Sequence, residues 1–382
     1  MLNNRNLVVD TFCELHYLLK HIADVEVSNF DNHEIIPNSI YVISYYGFQN
    51  KIEYFKNLVK QDIIKIILCH PMEGSETLVY HCEQIEDLLQ QNKIWLISGG
   101  EMESKWPYLL FDNFMSKILD YKDNLVEIKR TNEIFSKTVK PYKFLFLNGR
   151  MRHHRKYLLE KFKYDGILDQ SLWTNLDPVP HRFYPFVLPQ ELNLDNNTPS
   201  AFIVQQLPEK YEVQRYKEQI YKTLENPQRD LALKYHLFND EWGDIYLNAE
   251  PYIDTYFSVV TETVFEYPYS FRTEKTWKPI AMGHPVIFAS NYGYYRDFKN
   301  LGFKTFGHLI DESFDNIENV QDRIVRISEI VKDLCNQDLP AFLAATEETC
   351  KYNQQHLAEM CVKVRKEFPQ RFINFINERS RI

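Results

Sequence analysis

The chain has 382 residues, of which 44% are hydrophobic and 25% are charged, the usage of an ordinary globular protein. A chain of this length can bury a core in each of two or three domains, which excludes a disordered protein and a small disulfide scaffold. Its 44 Lys and Arg against 53 Asp and Glu give a net charge of −9. A general binder of nucleic acid or of anionic membranes is therefore not expected.

The cysteines and the N-terminus indicate a cytoplasmic protein. None of the six cysteines forms a Cys-x-x-Cys pair, so we expect reduced thiols and no metal site. The first residues lack the charged start, apolar run and cleavage site of a signal peptide. No stretch approaches the roughly 20 apolar residues that cross a bilayer, so no membrane span is predicted.

Apolar runs alternate with amphipathic segments, the pattern of an α/β protein. In the first part of the chain, helical segments separate strands predicted at 39–46, 63–69 and 94–98. Strands joined by helices in this way are expected to form a parallel sheet.

A second alternating unit follows. Its strands are predicted at 144–147, 256–261 and 285–289. Its helices are predicted from His154, at 209–226, at 273–282, at 316–335 and at 339–368. The interval from about 165 to 255 is rich in proline near its start and has no clear pattern.

The two alternating units predict two facing Rossmann-like domains with C-terminal helices closing the chain. We assign residues 1–138 to the first domain, 139–335 to the second and 336–382 to the C-terminal helices. Ligands of such sheets bind beyond the carboxyl ends of the strands, so the loops there are the places to look for chemistry.

The segment 271–279 is the most informative of these loops. Thr273 is a suitable N-cap, and Glu274 falls in the first turn of the predicted helix. Arg272, Lys275 and Lys278 add positive charge to a helix start that already favours anions, which suits a diphosphate. The Glu274 carboxylate is suited to the two hydroxyls of a ribose. By spacing alone, an ordinary capped helix with a solvated basic face explains the same residues.

The segment 148–155, Asn-Gly-Arg-Met-Arg-His-His-Arg, joins a strand to a helix start. Arginine forks match phosphate oxygens, so Arg150, Arg152 and Arg155 are candidate phosphate ligands, with Asn148 beside them. The adjacent histidines would point in different directions, which argues against a metal there.

Gly99-Gly100-Glu101 directly follows the strand at 94–98, where a carboxylate could act as a general base. Glu73 and Glu76, after the preceding strand, are rivals. A solvated acidic loop is the alternative for all three, because Glu is usually exposed.

Motifs of other enzyme classes are missing from the sequence. It contains no Gly-x-Gly-x-x-Gly and no Walker A sequence, so neither a redox dinucleotide nor a P-loop kinase is indicated. It also lacks an Asp-x-Asp triplet of the kind that holds a metal and nucleotide together.

Three blocks together resemble the α-1,3-fucosyltransferase family. Residues 256–290 follow the family's order of strand, Glu-Asn, loop, aromatic-x-Thr-Glu-Lys, helix and apolar strand, with Thr263 in place of the Asn. Phe271 and 273–275 match that motif directly, and Glu262 falls on its first Glu. The blocks at Glu101 and Arg155 are similar to the family's base and phosphate-binding segments. Together they cover about 110 residues, and the interval after Arg155 has no clear counterpart.

The resemblance implies a GT-B fold and an inverting, metal-independent glycosyltransferase without a cofactor. The N-terminal domain would bind a glycan or other hydroxyl acceptor, and the second domain GDP-fucose or a similar donor. It implies that Glu101 is the base, that Arg155 and Lys275 stabilise the diphosphate, and that Glu274 positions the ribose. Glu262 would orient the sugar or its neighbours.

Two alternatives stay open at this stage. One is a glycosyltransferase with another donor and possibly a nucleic-acid acceptor, since the interval 165–255 carries several Lys and Arg residues. The other is a non-catalytic nucleotide- or sugar-binding protein on the same scaffold.

Overall fold

The computed structural model describes residues 6–22, 25–30, 34–72, 83–103, 105–120, 122–150, 152–177, 209–211 and 246–380. By their internal contacts, the residues divide into two compact units. The first unit comprises residues 1–116, 269–271 and 360–382, and the second comprises 117–268 and 272–359. The predicted boundaries at residues 138 and 335 stay predictions.

In the described residues, the first unit holds a six-stranded parallel sheet with the strand order β2-β1-β3-β4-β5-β6. Its strands are β1 Leu7–Asp10, β2 Val25–Ser28, β3 Ser39–Ser44, β4 Ile64–His70, β5 Ile94–Ser98 and β6 Tyr108–Leu110. The helices that accompany them are α1 His16–Leu19, α2 Tyr45–Asn50, α3 Ile52–Lys60, α4 Glu86–Gln90 and α5 Asn113–Lys117.

The described part of the second unit holds a four-stranded parallel sheet with the order β10-β9-β7-β8. Its strands are β7 Tyr142–Arg150, β8 Leu172–Asp177, β9 Thr255–Thr261 and β10 Val286–Ala289. Helices precede the sheet, connect its strands or follow its last strand: α6 Lys122–Ile128, α7 Thr131–Ser136, α8 His153–Tyr164, α9 Glu250–Ile253, α10 Glu274–Ala281 and α11 Tyr294–Asn300. Two long helices end the chain, α12 Val320–Cys335 and α13 Leu339–Ser380.

Most strands are apolar because both faces of each sheet are covered, whereas β2 carries the exposed Glu26 and β8 carries the polar Thr174 and Asn175. In β4, Ile66 and Leu68 pack into one hydrophobic cluster, while Ile67 and Cys69 pack into the cluster on the opposite face. This two-sided burial produces the uninterrupted apolar runs from which the sequence predicts an α/β protein. That prediction is confirmed, since the described residues form a mixed α/β structure with two parallel sheets, compatible with two Rossmann-like domains.

Several predicted boundaries are wrong, including the strand expected at 144–147, which spans Tyr142–Arg150, and the helix expected from 316, which begins at Val320. The strand expected at 39–46 ends at Ser44, because the Ser44 hydroxyl accepts a hydrogen bond from the Gly47 N–H at 3.1 Å and starts α2 at Tyr45. The last helix does not end at 368 but runs through Pro369 to Ser380. Of the helix predicted at 209–226, only the 3₁₀ turn Glu209–Tyr211 lies within the described residues. None of the described helices has the length and apolar character needed to cross a membrane.

The aromatic core of the second sheet gives a test of this packing. Phe144 is fully buried between Phe146, Phe162 and Phe257, with ring centroids 5.4 to 6.5 Å apart. We expect Phe144→Ala to lower the free energy of unfolding by about 3–5 kcal/mol, because a cavity replaces these contacts. The matched control Val139→Ala, at a side chain that is 78% exposed, should change it by less than about 0.5 kcal/mol. Denaturant unfolding followed by circular dichroism checks both, and equal effects would contradict the packing argument.

Candidate functional site

The candidate site forms where two neighbouring strands of the second sheet end. β7 and β9 pair in parallel, with Phe144 opposite Phe257 and Leu145 opposite Ser258, so their carboxyl ends meet at the same edge. Helix α8 begins directly after β7, and α10 begins after the loop that follows β9. The predicted segments 148–155 and 262–278 therefore belong to the same edge of one sheet.

Asn148 joins three strands at this edge. Its N–H donates to the Thr174 hydroxyl of β8 at 2.9 Å, and that hydroxyl donates to the Asn148 carbonyl at 3.1 Å. Its side-chain oxygen accepts from the Thr261 hydroxyl of β9 at 2.7 Å. Asn148 is 1% exposed, and its side-chain Nδ2 has no hydrogen-bond partner among the described residues, so it links the strands and stays a candidate ligand residue.

Glu262, the residue after β9, is fully buried, and its carboxylate ties the end of the strand to the start of α10. One oxygen accepts from the Thr273 N–H at 2.9 Å and from the Thr276 hydroxyl. The other accepts from the Thr273 hydroxyl at 2.8 Å and from the Thr263 N–H at 3.1 Å. With both oxygens occupied, the carboxylate sets the direction of α10.

Helix α10 begins as its sequence predicts. Thr273 has extended backbone angles, and its hydroxyl accepts from the Lys275 N–H at 3.3 Å as an N-cap. Glu274 is buried and pairs with the Lys275 ammonium, whose side chain is 25% exposed. Although burial opposes it, Lys275 and Lys278 hold the pKa of the Glu274 carboxyl below its ordinary value. The first turn thus carries an ionised carboxylate beside a cation that solvent can reach.

Arg155 and His154, in the first turn of α8, bind the backbone at the end of β9. The Arg155 guanidinium donates to the carbonyls of Thr261 and Glu262 at 3.0 and 3.3 Å. Burial, with Arg152 nearby, lowers its pKa to about 9, so it is still charged at neutral pH. The His154 Nε2 lies 2.9 Å from the Glu262 carbonyl, and its ring stacks on Phe265 at 4.9 Å.

Sequence reasoning does not identify two residues of this edge, Arg323 and Glu266. Arg323 of α12 is 1% exposed and donates to the carbonyls of Phe265, Ser290, Ile317 and Glu318. It fixes the loop that carries Glu266, whose pKa is raised by burial against the opposing effect of Arg152 and Arg323. A lone Arg within an amphipathic helix gives no sequence signal, since its role depends on partners far away in the chain.

The other predicted residues of the second unit differ in exposure. Arg272 is 1% exposed, so it belongs to the interior beside the helix start. Arg152 is the half-buried residue that precedes α8, and Lys278 is half-buried in α10. Arg150 ends β7, but its side chain lies outside the described residues, as do Glu73 and Glu76 entirely.

Glu101 belongs to the first unit, three residues beyond the end of β5. It is half-buried, and its carboxylate accepts from the Tyr108 hydroxyl at 3.2 Å. Its N–H donates to the Ser270 carbonyl at 2.9 Å. Burial and the Glu101 carboxylate raise the pKa of Tyr108, so this phenol stays a hydrogen-bond donor at neutral pH. The Glu101 carboxylate is thus oriented by a hydrogen bond and is still partly exposed to solvent.

The edge of the second sheet is equipped to bind an anion that carries hydroxyl groups. Two helix starts and the cations Arg152, Arg155 and Lys275 favour negative charge there, and Glu274 offers a carboxylate beside them. Among the described residues, the metal-binding side chains that lie close enough to share an ion are in the first unit, at Cys13, Glu14 and Cys69.

Comparison with known proteins adds no family to this description. No family model matches the chain, and neither the curated proteins nor the solved structures contain a match. The resemblance to fucosyltransferases consequently depends on the motif residues alone.

The buried His154 predicts how stability depends on pH. Burial, followed by the charges of Arg155 and Arg152, holds its pKa well below the ordinary 6.5, so the folded chain keeps it neutral while the unfolded chain protonates it. Stability should therefore fall as pH drops below about 6.5, by up to about 1.4 kcal/mol per pH unit from this group. Denaturant unfolding at pH 7.5, 6.5 and 5.5 checks this.

His154→Gln should reduce the slope of the free energy of unfolding against pH, whereas the exposed control His308→Gln should not. Equal slopes in the wild type and His154→Gln would contradict the assignment.

Proposed function

We propose that the chain is a glycosyltransferase with a GT-B fold. It transfers a sugar, with inversion and without a metal, from a nucleotide-sugar donor to an acceptor hydroxyl. The observation that carries the proposal is the start of α10, where the buried Glu262 carboxylate locks Thr273 and Thr276 and thereby presents Glu274 and Lys275 in a fixed arrangement. These are the residues on which the sequence resemblance is most specific.

The start of α10 would bind the nucleoside and the nearer phosphates. An ionised carboxylate accepts hydrogen bonds from two neighbouring hydroxyls, and the pKa of Glu274 is held low enough to keep it ionised at neutral pH. Lys275 already contacts this carboxylate, so a ribose bound to Glu274 would bring its phosphates within reach of the lysine ammonium.

The leaving diphosphate needs positive charge, and the site supplies it from fixed groups. Lys275, Lys278 and Arg152 are partly exposed cations, and we assign Lys275 and Arg152 direct phosphate contacts. Arg155 is 2% exposed and holds the carbonyls of β9, so it contributes a fixed positive potential from within. Preorganised charges of this kind stabilise a developing anion without a Lewis acid.

Glu262 is assigned a positioning role in this proposal rather than a contact with the sugar. Its four hydrogen bonds come from the chain's own Thr263, Thr273 and Thr276. The resemblance implies a Glu that orients the donor or its neighbours, and these contacts favour the neighbours.

Glu101 is the base of the proposed reaction. The acceptor hydroxyl attacks the anomeric carbon while its proton passes to the Glu101 carboxylate, and the bond to the diphosphate oxygen breaks on the opposite face. The hydroxyl of Tyr108 holds one carboxylate oxygen by its hydrogen bond and thereby orients the other.

The donor is identified by a thermal-shift panel of GDP, UDP, ADP, CMP and their common sugars without added metal. Ligand at about 100 times its dissociation constant stabilises the folded chain by about 2.7 kcal/mol. A shift with GDP and GDP-fucose supports the donor that the resemblance implies, and a shift with another nucleotide replaces it. Absence of any shift would overturn the proposal, whereas binding without turnover would favour the non-catalytic alternative.

Lys275→Ala should weaken binding of the nucleotide diphosphate about 10- to 100-fold, because it removes one charge-assisted hydrogen bond. The matched control is Lys351→Ala on α13, an exposed lysine that likewise pairs with a Glu. Isothermal titration with the nucleotide found in the panel measures both affinities. Unchanged affinity in Lys275→Ala would refute the phosphate role.

Glu101→Gln should lower the rate of transfer about 10²- to 10⁴-fold, since the amide cannot accept the acceptor proton. Donor affinity should be unchanged, because the donor residues belong to the second unit. Glu103→Gln, two residues along the same loop at a partly exposed Glu, is the control and should keep full activity. An active Glu101→Gln enzyme would exclude this residue as the base.

A further inference from the structure

Three side chains that ligate metals converge in the first unit, apart from the residues used above. Cys13 and Cys69 are fully buried, and the ligand atoms of Cys13, Glu14 and Cys69 all lie within 4.8 Å of one another. Cys13 and Glu14 follow β1, and Cys69 is the last residue but one of β4, so the cluster lies at the carboxyl edge of the sheet.

The backbone holds these residues in place. The Cys13 N–H donates to the Asp10 carbonyl at 2.9 Å, which closes a turn directly after β1. Cys69 lies within the ladder of β4, paired with Ser44 of β3 and Ile97 of β5. The thiols thus approach each other from β1 and β4, on the two sides of β3.

Polar atoms at the same ends of β1 and β4 have no hydrogen-bond partner among the described residues. One oxygen of Glu14 is buried and unsatisfied, and both ring nitrogens of His70 are unsatisfied although this residue is 1% exposed. The His70 Nδ1 lies 3.9 Å from the other Glu14 oxygen. A buried polar group without a partner costs about 1–3 kcal/mol, so the unsatisfied Glu14 oxygen indicates a group that this carboxylate is arranged to receive.

We propose that this cluster is a Zn²⁺ site with the Cys13 and Cys69 thiolates and the Glu14 carboxylate as ligands and water as the fourth. Thiolates and carboxylates are both ligand types that zinc takes in proteins, and binding releases the two thiol protons. Tetrahedral zinc places its ligand atoms about 3.3–3.8 Å apart, so a movement of about 1 Å closes the site. His70 is a positioning residue for Glu14, since adjacent strand residues point to opposite faces and Cys69 already faces the metal.

Metal binding to the full chain tests the proposal. The chain is purified under reducing conditions, stripped with a chelator, and titrated with Zn²⁺ and separately with Co²⁺. We expect one equivalent of tightly held zinc after dialysis and, with cobalt, an absorption band from thiolate-to-metal charge transfer. Cys13→Ser and Cys69→Ser should each abolish that band, and the matched control Cys350→Ser, at a buried free cysteine of α13, should keep it.

Two further variants keep the test decisive if a cysteine variant fails to fold. Glu14 is partly exposed, so Glu14→Gln keeps the shape of the site and should remove tight binding. His70→Gln should weaken zinc binding about 10- to 100-fold, as expected for a residue that orients a ligand. Absence of retained zinc, full retention in folded Cys13→Ser or Glu14→Gln, or a Cys13–Cys69 disulfide in the protein isolated without reductant would each overturn the proposal.

Discussion

The candidate site of the second unit depends on one buried charge, the Glu262 carboxylate. Removing an isolated carboxylate from water costs several kcal/mol, so it is tolerated only where hydrogen bonds and opposite charge compensate for it. Thr263, Thr273 and Thr276 supply four hydrogen bonds, and the nearby Arg155 supplies positive charge. Satisfying this one group fixes the distance and direction between the end of β9 and the start of α10.

A second set of contacts fixes the backbone at Glu262, so that its carboxylate stays within hydrogen-bond distance of the three threonines. Its carbonyl receives Arg155 and His154 from α8, and the ring of His154 stacks on Phe265. Arg323 then binds the Phe265 carbonyl and packs against the same ring at 4.7 Å. Side chains from two helices thus hold one loop, and the buried cations among them carry structural contacts as well as charge.

The sequence predicts the parts of this arrangement that are local. The strands are continuous apolar runs, and α10 begins with a Thr-Glu pair, so both are readable from neighbouring residues. The four-residue strands β1 and β2 are too short to show a pattern, and β8 is interrupted by polar residues such as Thr174 and Asn175. The roles of Asn148 and Arg323, and the meeting of Cys13 with Cys69, depend on pairings between distant segments and are not readable in advance.

Burial divides the charged residues into those that build a site and those that are able to act in it. Glu262, Arg155 and Arg272 are at most 2% exposed, and a ligand would have to displace their existing environment to reach them. Lys275 and Glu101 are held by neighbours yet remain partly accessible. A reacting group needs both orientation and access, because it must be positioned before the substrate binds and must then contact the substrate. In the proposed reaction, proton transfer and phosphate contact thus belong to a small number of half-exposed groups, and the fully buried groups orient them.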